Sequence, residues 1–375
     1  KVDFMISKQV FIIAGKRSAV APRLGAFKSL TYYELAAQVV GDVLKEAKID
    51  KSAVDELIVS NALGAGGNPA RMVSLEAKLS LSVGGVSIDR QCCGGLDAIS
   101  IGADLIKNGH AEIVVAGGVE SYSKRPVRLH SENSDQPLVQ YDRPAFAPAG
   151  FNDPDLAEAT ANLAQKFGIS KKEQDEWSIN SHLKALKSQN ILRSEITPIL
   201  NQKNDLFTRK LNQKICDRAP VLSDTITHAN SAIEADAAAF LVLVSERFLK
   251  NKIQKGAEVL GYAKSGVLPE ETPLAPIGAI KKLLDQTGIT LSKVTFIELM
   301  EAYAAQAILC TRECNLDLNK INIRGGAISR GHPIGASGTI LAVRLFNEVI
   351  NVPGTLGVAS IAAAGGIGSA MMLKS

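Results

Sequence analysis

Apolar residues fall in two spacings along this chain, and the spacings alternate. VFIIAG (10–15), DELIVSNAL (55–63) and EIVVAGG (112–118) are near-continuous apolar runs of strand length, which predicts strands covered on both faces. LAAQVVGDVLKEA (35–47) carries its apolar residues at helical spacing, as does the stretch after Gly95, with Leu96, Ile99, Ala103 and Ile106 on one face. The second half repeats the scheme: EVLGYAK (258–264), TFIELM (295–300) and LGVASIA (356–362) read as strands, and a helix from Ser337 carries Leu341, Leu345 and Val349. Strand and helix in alternation predict an α/β layered fold with mostly parallel pairing. A more polar, helix-rich stretch from about 121 to 222 reads as an insertion placed as a lid. The expected organisation is residues 8–120 with 223–260 as one half, 121–222 as the lid, and 261–375 as the other half.

The halves are related by a fixed offset. Ile49 and Val54 bracket the entry to one strand, Ile289 and Val294 the entry to another, and each pair of equivalents lies 240 residues apart. Cys92 and His332 are separated by the same 240 residues. Cys92 sits in IDRQCCGGLDAIS, ahead of a helix whose N-terminal partial charge should lower its thiol pKa toward neutrality. His332 sits in NIRGGAISRGHPIGASG, a glycine-walled loop entering a helix, where backbone and imidazole can approach a substrate closely. Either residue alone would read as core. Two glycine elbows at equivalent points suggest a nucleophile and its base meeting between the halves.

The chain resembles the thiolase superfamily, enzymes that make or cleave 3-ketoacyl-CoA through an acylated cysteine. The resemblance runs from VFIIAGKRSAVAPRLGAF through NALGAGGNPARMVSLEA, AEIVVAGGVES and ISKKEQDEW to the GHP loop and the terminal AGGIGSA. It implies a five-layered sandwich of two similar βα halves with a lid insertion. It also implies Cys92 as the acyl-thioester nucleophile and His332 as base and oxyanion donor, with an oxyanion hole made by the backbone N–H groups of Cys92 and Ala364. Cys93, whose side chain should point away from that of Cys92, reads as structural.

Two departures bear on the chemistry. Where the family carries a second cysteine as acid/base, this chain has Ala362, which cannot move a proton, and Ala364 replaces the first glycine of the cluster that follows. Where the family has an Asn ahead of Glu-Ala, helping to line an oxyanion hole, ELMEAYAAQ has Met300, whose thioether donates nothing. The resemblance therefore implies intact acylation with impaired C–C condensation or cleavage. Glu301 is a candidate to replace the missing base.

For coenzyme A, the resemblance places Ala302 and Tyr303 against the pantetheine arm. Asp155 and Leu156 stand in place of a His-Met pair, and Ala232 replaces a serine after Asn230 and Ser231. SYSKRPVRLH departs from the family and gathers Lys124, Arg125 and Arg128, either as a solvated loop or as a site for nucleotide phosphates or a neighbouring subunit.

With 375 residues, 46% of them hydrophobic, the chain can bury a large core, and a formal charge of +4 gives no reason to expect nucleic acid. No zinc-spaced Cys/His cluster and no membrane-length apolar run occurs in the sequence, so neither a metal nor a membrane is expected. Five cysteines, Cys92, Cys93, Cys216, Cys310 and Cys314, form no disulfide framework and suit the cytoplasm. The residues before Met5 read as an appended remnant, with Met5 as the native start.

The expected function is a thiolase-like acyl-CoA acyltransferase of the acetyl-CoA C-acetyltransferase type. It would use a CoA thioester as substrate, with no covalently bound cofactor, as a homodimer or homotetramer. The alternatives are a non-catalytic acyl-CoA-binding paralogue or subunit of a multienzyme assembly, and a hydrolase using the Cys92–His332 dyad.

Overall fold

A computed structural model describes residues 9–64, 66–131, 133, 135–250 and 255–375; the expectation about Met5 lies outside them. The elements that frame the site are β1 (Val10–Ser18), α1 (Tyr32–Ala47), β2 (Glu56–Ser60), β3 (Val86–Ile88), α2 (Gly94–Lys107) and β4 (Ile113–Glu120). The insertion contributes α3 (Leu156–Lys166) and α4 (Lys171–Leu192). The remainder are β5 (Ala235–Ser245), β6 (Ala257–Gly266), α5 (Ala275–Thr287), β7 (Phe296–Leu299), α6 (Ala304–Glu313), α7 (Ile334–Val349), β8 (Leu356–Ala363) and β9 (Ile367–Lys374).

Local chemistry sets the helix boundaries. Thr31 and Glu34 form a reciprocal capping box that starts α1, Leu35, Val39, Val40, Val43 and Leu44 line its buried face, and Lys48 in the left-handed region ends it. The strands run in the order β7-β8-β9-β6-β1-β5-β4-β2-β3. Read outward from the β1·β6 contact, the arm β1-β5-β4-β2 matches the arm β6-β9-β8-β7, so the repeat inferred from spacing is a repeat of topology.

Pairing is mixed, which corrects the expectation of mostly parallel strands. β2 pairs in parallel with β3 and β4, and β7 with β8, whereas β4/β5, β5/β1, β1/β6, β6/β9 and β9/β8 are antiparallel. The physical reason is burial: β4 and β5 are covered along their whole length, so an antiparallel strand here reads in sequence like a parallel one. β6 is a single strand across the boundary expected between residues 260 and 261. It pairs with β9 from Glu258 to Gly266 but with β1 only at Phe11 and Ile12, and so groups with the second half.

Five layers result, and the architecture is that of the resemblance. α1 covers the outer face of the first arm through Leu35, Val39, Leu57, Val115 and Phe240. α5 and α6 cover the second through Ile280, Leu283, Leu299, Cys310 and Val358. Between the arms lie α2 and α7, in one core with Val114, Leu241, Ile361 and Met371. These two helices touch backbone to backbone: a Cβ on Gly95 would stand 2.4 Å from the Thr339 nitrogen, and one on Gly338 would stand 2.7 Å from that of Leu96. Both crossing residues must be glycine.

The insertion is anchored by buried ion pairs. Arg17 of β1 binds Glu195 at 2.7 Å and Asp205 at 2.6 Å, while Arg344 of α7 binds the other oxygen of Glu195.

Candidate active site

The α2 and α7 crossing brings the two elbows together. Cys92 lies in a short turn, Gln91–Cys93, immediately before α2, and His332 lies immediately before α7. The Cys92 sulfur stands 3.1 Å from His332 Nε2. His332 Nδ1 is 2.6 Å from Ser337 Oγ, and the Ser337 hydroxyl donates to the Pro333 carbonyl at 3.1 Å. With the hydroxyl proton engaged there, Ser337 accepts from Nδ1–H, and this network assigns Nε2 as the free lone pair facing the thiol. The His332 main chain is pinned as its N–H donates to the Ile233 carbonyl at 2.7 Å. Gln91 holds a left-handed φ of 52°, a conformation unusual for a residue with a side chain, directly before the cysteine.

Burial governs the titration of the pair. Desolvation pushes the Cys92 thiol up to about 12 against the downward pull of the nearby backbone N–H groups of Cys92 and Ala364; Glu120 and Asp89 push it further up. The expected lowering toward neutrality is therefore corrected. A helix end is worth about 0.3–1 kcal/mol, less than one pKa unit, and cannot offset the loss of water around a thiolate. Burial likewise lowers His332 to about 4. At neutral pH the pair rests as a neutral thiol facing a neutral imidazole, and a proton can pass from sulfur to Nε2 when the sulfur attacks.

The backbone N–H groups that lower the thiol pKa belong to Cys92 and Ala364, the residues expected to form the oxyanion hole. Ala364 has no left-handed φ; Gly365 and Gly366, at 82° and 78°, make the turn instead, so an alanine is tolerated at 364. Cys93 is fully buried, its thiol directed to the Ile361 and Ile367 carbonyls.

A cavity of about 590 Å³ opens over the pair, and Ala362, Ala364, Ala302, Tyr303, Leu156 and Ala232 all lie on its wall. Met300 does not. It is 1% exposed, packed in the core between the arms, with its N–H on the Ser360 carbonyl.

Glu301 does not replace the missing base either. Its carboxylate accepts from Trp177 Nε1 at 3.1 Å, Ser181 Oγ at 2.8 Å, Asn322 Nδ2 at 2.7 Å and the Ile328 N–H at 3.3 Å, and it lies off the cavity wall. The carboxylates that do reach the wall are engaged: Asp155 caps α3 at the Ala157 N–H, and Glu234 pairs with Arg23.

Sequence reading missed three contributors. Ser337 sets the imidazole tautomer. Buried Glu120, raised to about 7 chiefly by desolvation, accepts the N–H groups of Ala62, Leu63 and Gly335 and so ties β4 to the start of α7. Gln306, 3% exposed on the cavity wall, has an amide nitrogen without a partner; its position one helical turn after Tyr303 is the signal that could have found it.

Basic side chains stand at two places around the site. Arg125 and Arg128 border a separate cavity, whereas Arg209, Lys214 and Arg218 border a groove that shares His228 with the Cys92 cavity. Among the described residues no group of three or more His, Cys, Asp or Glu could hold a metal, and no helix is long and apolar enough to cross a membrane.

Family models match nearly the whole chain, the thiolase N-terminal domain over residues 10–247 and the thiolase C-terminal domain over residues 253–375. The chain belongs to the thiolase family. This thiolase is 35% identical over 373 residues to a Bacillus subtilis protein named "Putative acetyl-CoA C-acetyltransferase YhfS", covering 97% of this chain and 98% of the other. It is 33% identical to "Putative acetyl-CoA C-acetyltransferase VraB" of Staphylococcus epidermidis, with 98% of each covered. The crystal structure of a Bacillus anthracis acetyl-CoA acetyltransferase superposes with a TM-score of 0.90 at 31% identity, covering 98% of this thiolase and 99% of that chain. Acat5 thiolase from Ascaris suum, solved in complex with coenzyme A, superposes at 0.89 with 30% identity, covering 98% and 100%.

Proposed function

We propose that this thiolase is an acyl-CoA acyltransferase of the acetyl-CoA C-acetyltransferase type, carrying the acyl group on Cys92, with an impaired C–C step. The observation that carries the reading is the Cys92 sulfur held 3.1 Å from the free lone pair of His332. In the acyl half-reaction, Cys92 gives its proton to His332 Nε2 as its sulfur adds to the thioester carbonyl. The oxyanion forms beside the Cys92 and Ala364 N–H groups, the bond to the CoA sulfur breaks, and His332 returns the proton to that sulfur. The products are acyl-Cys92 and free CoA thiol.

C–C bond formation also needs a base to take the α-proton of a second thioester. Ala362 at that place has none, Glu301 lies off the cavity wall, and Asp155 and Glu234 on that wall each already hold a partner.

Coenzyme A enters, in this reading, through the groove beyond His228. Arg209, whose Nη1 lacks a hydrogen-bond partner, and Lys214 and Arg218 would meet its phosphates. The pantetheine would pass Ala302, Tyr303, Leu156 and Ala232. The same reading takes the CoA thioester as free substrate, with no covalently bound cofactor, in a cytoplasmic homodimer or homotetramer.

Intact mass after incubation with acetyl-CoA tests the proposal. An added acetyl group with release of one CoA, absent in Cys92→Ala, is the expected result. Saturable CoA binding without adduct or release would leave the non-catalytic reading, and steady release of free acetate would identify a hydrolase.

A further inference from the structure

We infer that the acyl group taken by this thiolase ends in a carboxylate, its tail running into a second cavity and its charge meeting Arg128. The inference rests on the acyl-transfer reading above and names its substrate class.

The second cavity, of about 580 Å³, meets the Cys92 cavity along a border made by Arg23, Asp155, Leu156, Glu234 and Tyr303, which line both. It touches Gln91, the residue before the nucleophile, and Phe146, whose carbonyl lies against Gly365 beside the Ala364 N–H. It therefore adjoins the reacting atoms away from the groove that begins at His228. A thioester whose CoA portion fills that groove has this second space left for the far end of its acyl group. Leu63, Phe146, Ile334 and Leu156 supply apolar wall for methylene groups.

The charged groups around the cavity decide what the far end should be. Arg23 pairs with Glu234 at 2.7 Å, Arg125 with Asp142 at 3.3 Å, and Arg143 with Asp153 at 2.6 Å. Asp89 accepts the Gln91 N–H at 2.9 Å and Asp155 the Ala157 N–H at 2.8 Å. Arg128 differs: its Nη2 donates to the Ala62 carbonyl at 3.2 Å, and among the described residues it forms no ion pair with a carboxylate. The half-buried guanidinium on the cavity wall spends one Nη2 hydrogen on Ala62 and keeps one donor fork, Nη2 with either Nε or Nη1, for a carboxylate. A neutral alkyl tail would leave this cation uncompensated beside it, which disfavours the same-length acyl chain without the charge.

The test compares adipyl-CoA with hexanoyl-CoA, equal in chain length and different in the terminal carboxylate, by CoA release and by mass of the Cys92 adduct. Adipyl-CoA should acylate Cys92 with a kcat/KM about 10- to 100-fold above hexanoyl-CoA, the worth of a charge-assisted hydrogen-bonded pair. Arg128→Leu should bring that ratio to about one. The ratio is internal to each variant, so a folding defect lowers both rates without altering it. Should Arg128→Leu fail to fold, Arg128→Lys, which keeps the charge and loses the fork, should retain a smaller preference of the same sign. Equal rates for the two thioesters in the unmodified protein, or an unchanged ratio in the variant that folds, overturn the inference. Acetyl-CoA run alongside separates the two claims. Without an acetyl adduct the acyl-transfer reading fails by itself, and equilibrium binding of the same two thioesters decides the carboxylate preference, with equal affinities refuting it.

Discussion

At the residue scale the site turns on a proton held between two groups that are both uncharged at rest. His332 is lowered to about 4 by burial, so its Nε2 stays an acceptor well below the usual histidine range. Protonation of Nε2 removes the acceptor, so acylation should fall only as pH drops toward 4, rather than through 6.5 where free histidine titrates. A pH profile of single-turnover acylation with acetyl-CoA checks this, and a limb near 6.5 would contradict it. Ser337→Ala removes the partner of Nδ1 and frees the tautomer; acylation should slow about tenfold, the worth of one hydrogen bond, with little change in KM. Ala362 lies on the cavity wall, so Ala362→Cys places a titratable group where the C–C step needs one. Thiolysis of acetoacetyl-CoA should then rise by about 100-fold or more. Because Met300 is packed in the core, substituting it should contribute to that rate only by disturbing the core. The chemical identities were legible in the sequence because Cys92, His332 and Ala362 sit in short motifs. The direction of the Cys92 pKa was not, since it depends on how much water the folded cavity removes.

At the element scale, the meeting of sulfur and imidazole is made by two helices whose backbones touch at Gly95 and Gly338. A methyl group at either position would collide with main-chain atoms of the other helix, which cannot rotate away as a side chain can. Gly338→Ala should therefore cost about 1–3 kcal/mol by overpacking, read as a lower denaturant midpoint. It should also slow acylation more than it weakens CoA binding, because pushing α2 from α7 lengthens the Cys92–His332 contact. A variant as stable and as active as the parent would refute this account of the crossing. Helices α1, α2 and α7 and most strands could be placed from apolar spacing, and the offset of 240 residues anticipated the equivalence of the elbows. Strand direction could not be placed in this way. β8 and β9 are joined by the tight turn at Gly365 and Gly366, which makes them antiparallel, yet both are buried along nearly their whole length and carry no mark of their partner's polarity.

At the scale of the whole molecule, buried charges join the insertion to both arms. Arg17 on β1 and Arg344 on α7 converge on Glu195, and Asp205 holds the other side of Arg17. All four side chains are nearly inaccessible to water, so removing one leaves its partners charged and unpaired in the interior. Arg17→Met should destabilise the protein by about 3–5 kcal/mol in equilibrium denaturation. Arg17→Met with Asp205→Leu should lose less than the two single changes combined, and strict additivity would show that the pair does not act as a unit. The sequence by itself determined which residues could do chemistry and which segments were core. Reactive groups keep their identity in any fold, and apolar spacing reports burial along one element at a time. Only the tertiary structure decided that Met300 packs in the core and Glu301 is held off the cavity wall, that Gln306 lies on that wall and Ser337 against the imidazole, and that Arg209, Lys214 and Arg218 border the groove that meets the cavity at His228. Those assignments depend on contacts between residues far apart in the chain, where hydrogen-bond partners, excluded water and backbone approach are set by packing and leave no local pattern to read.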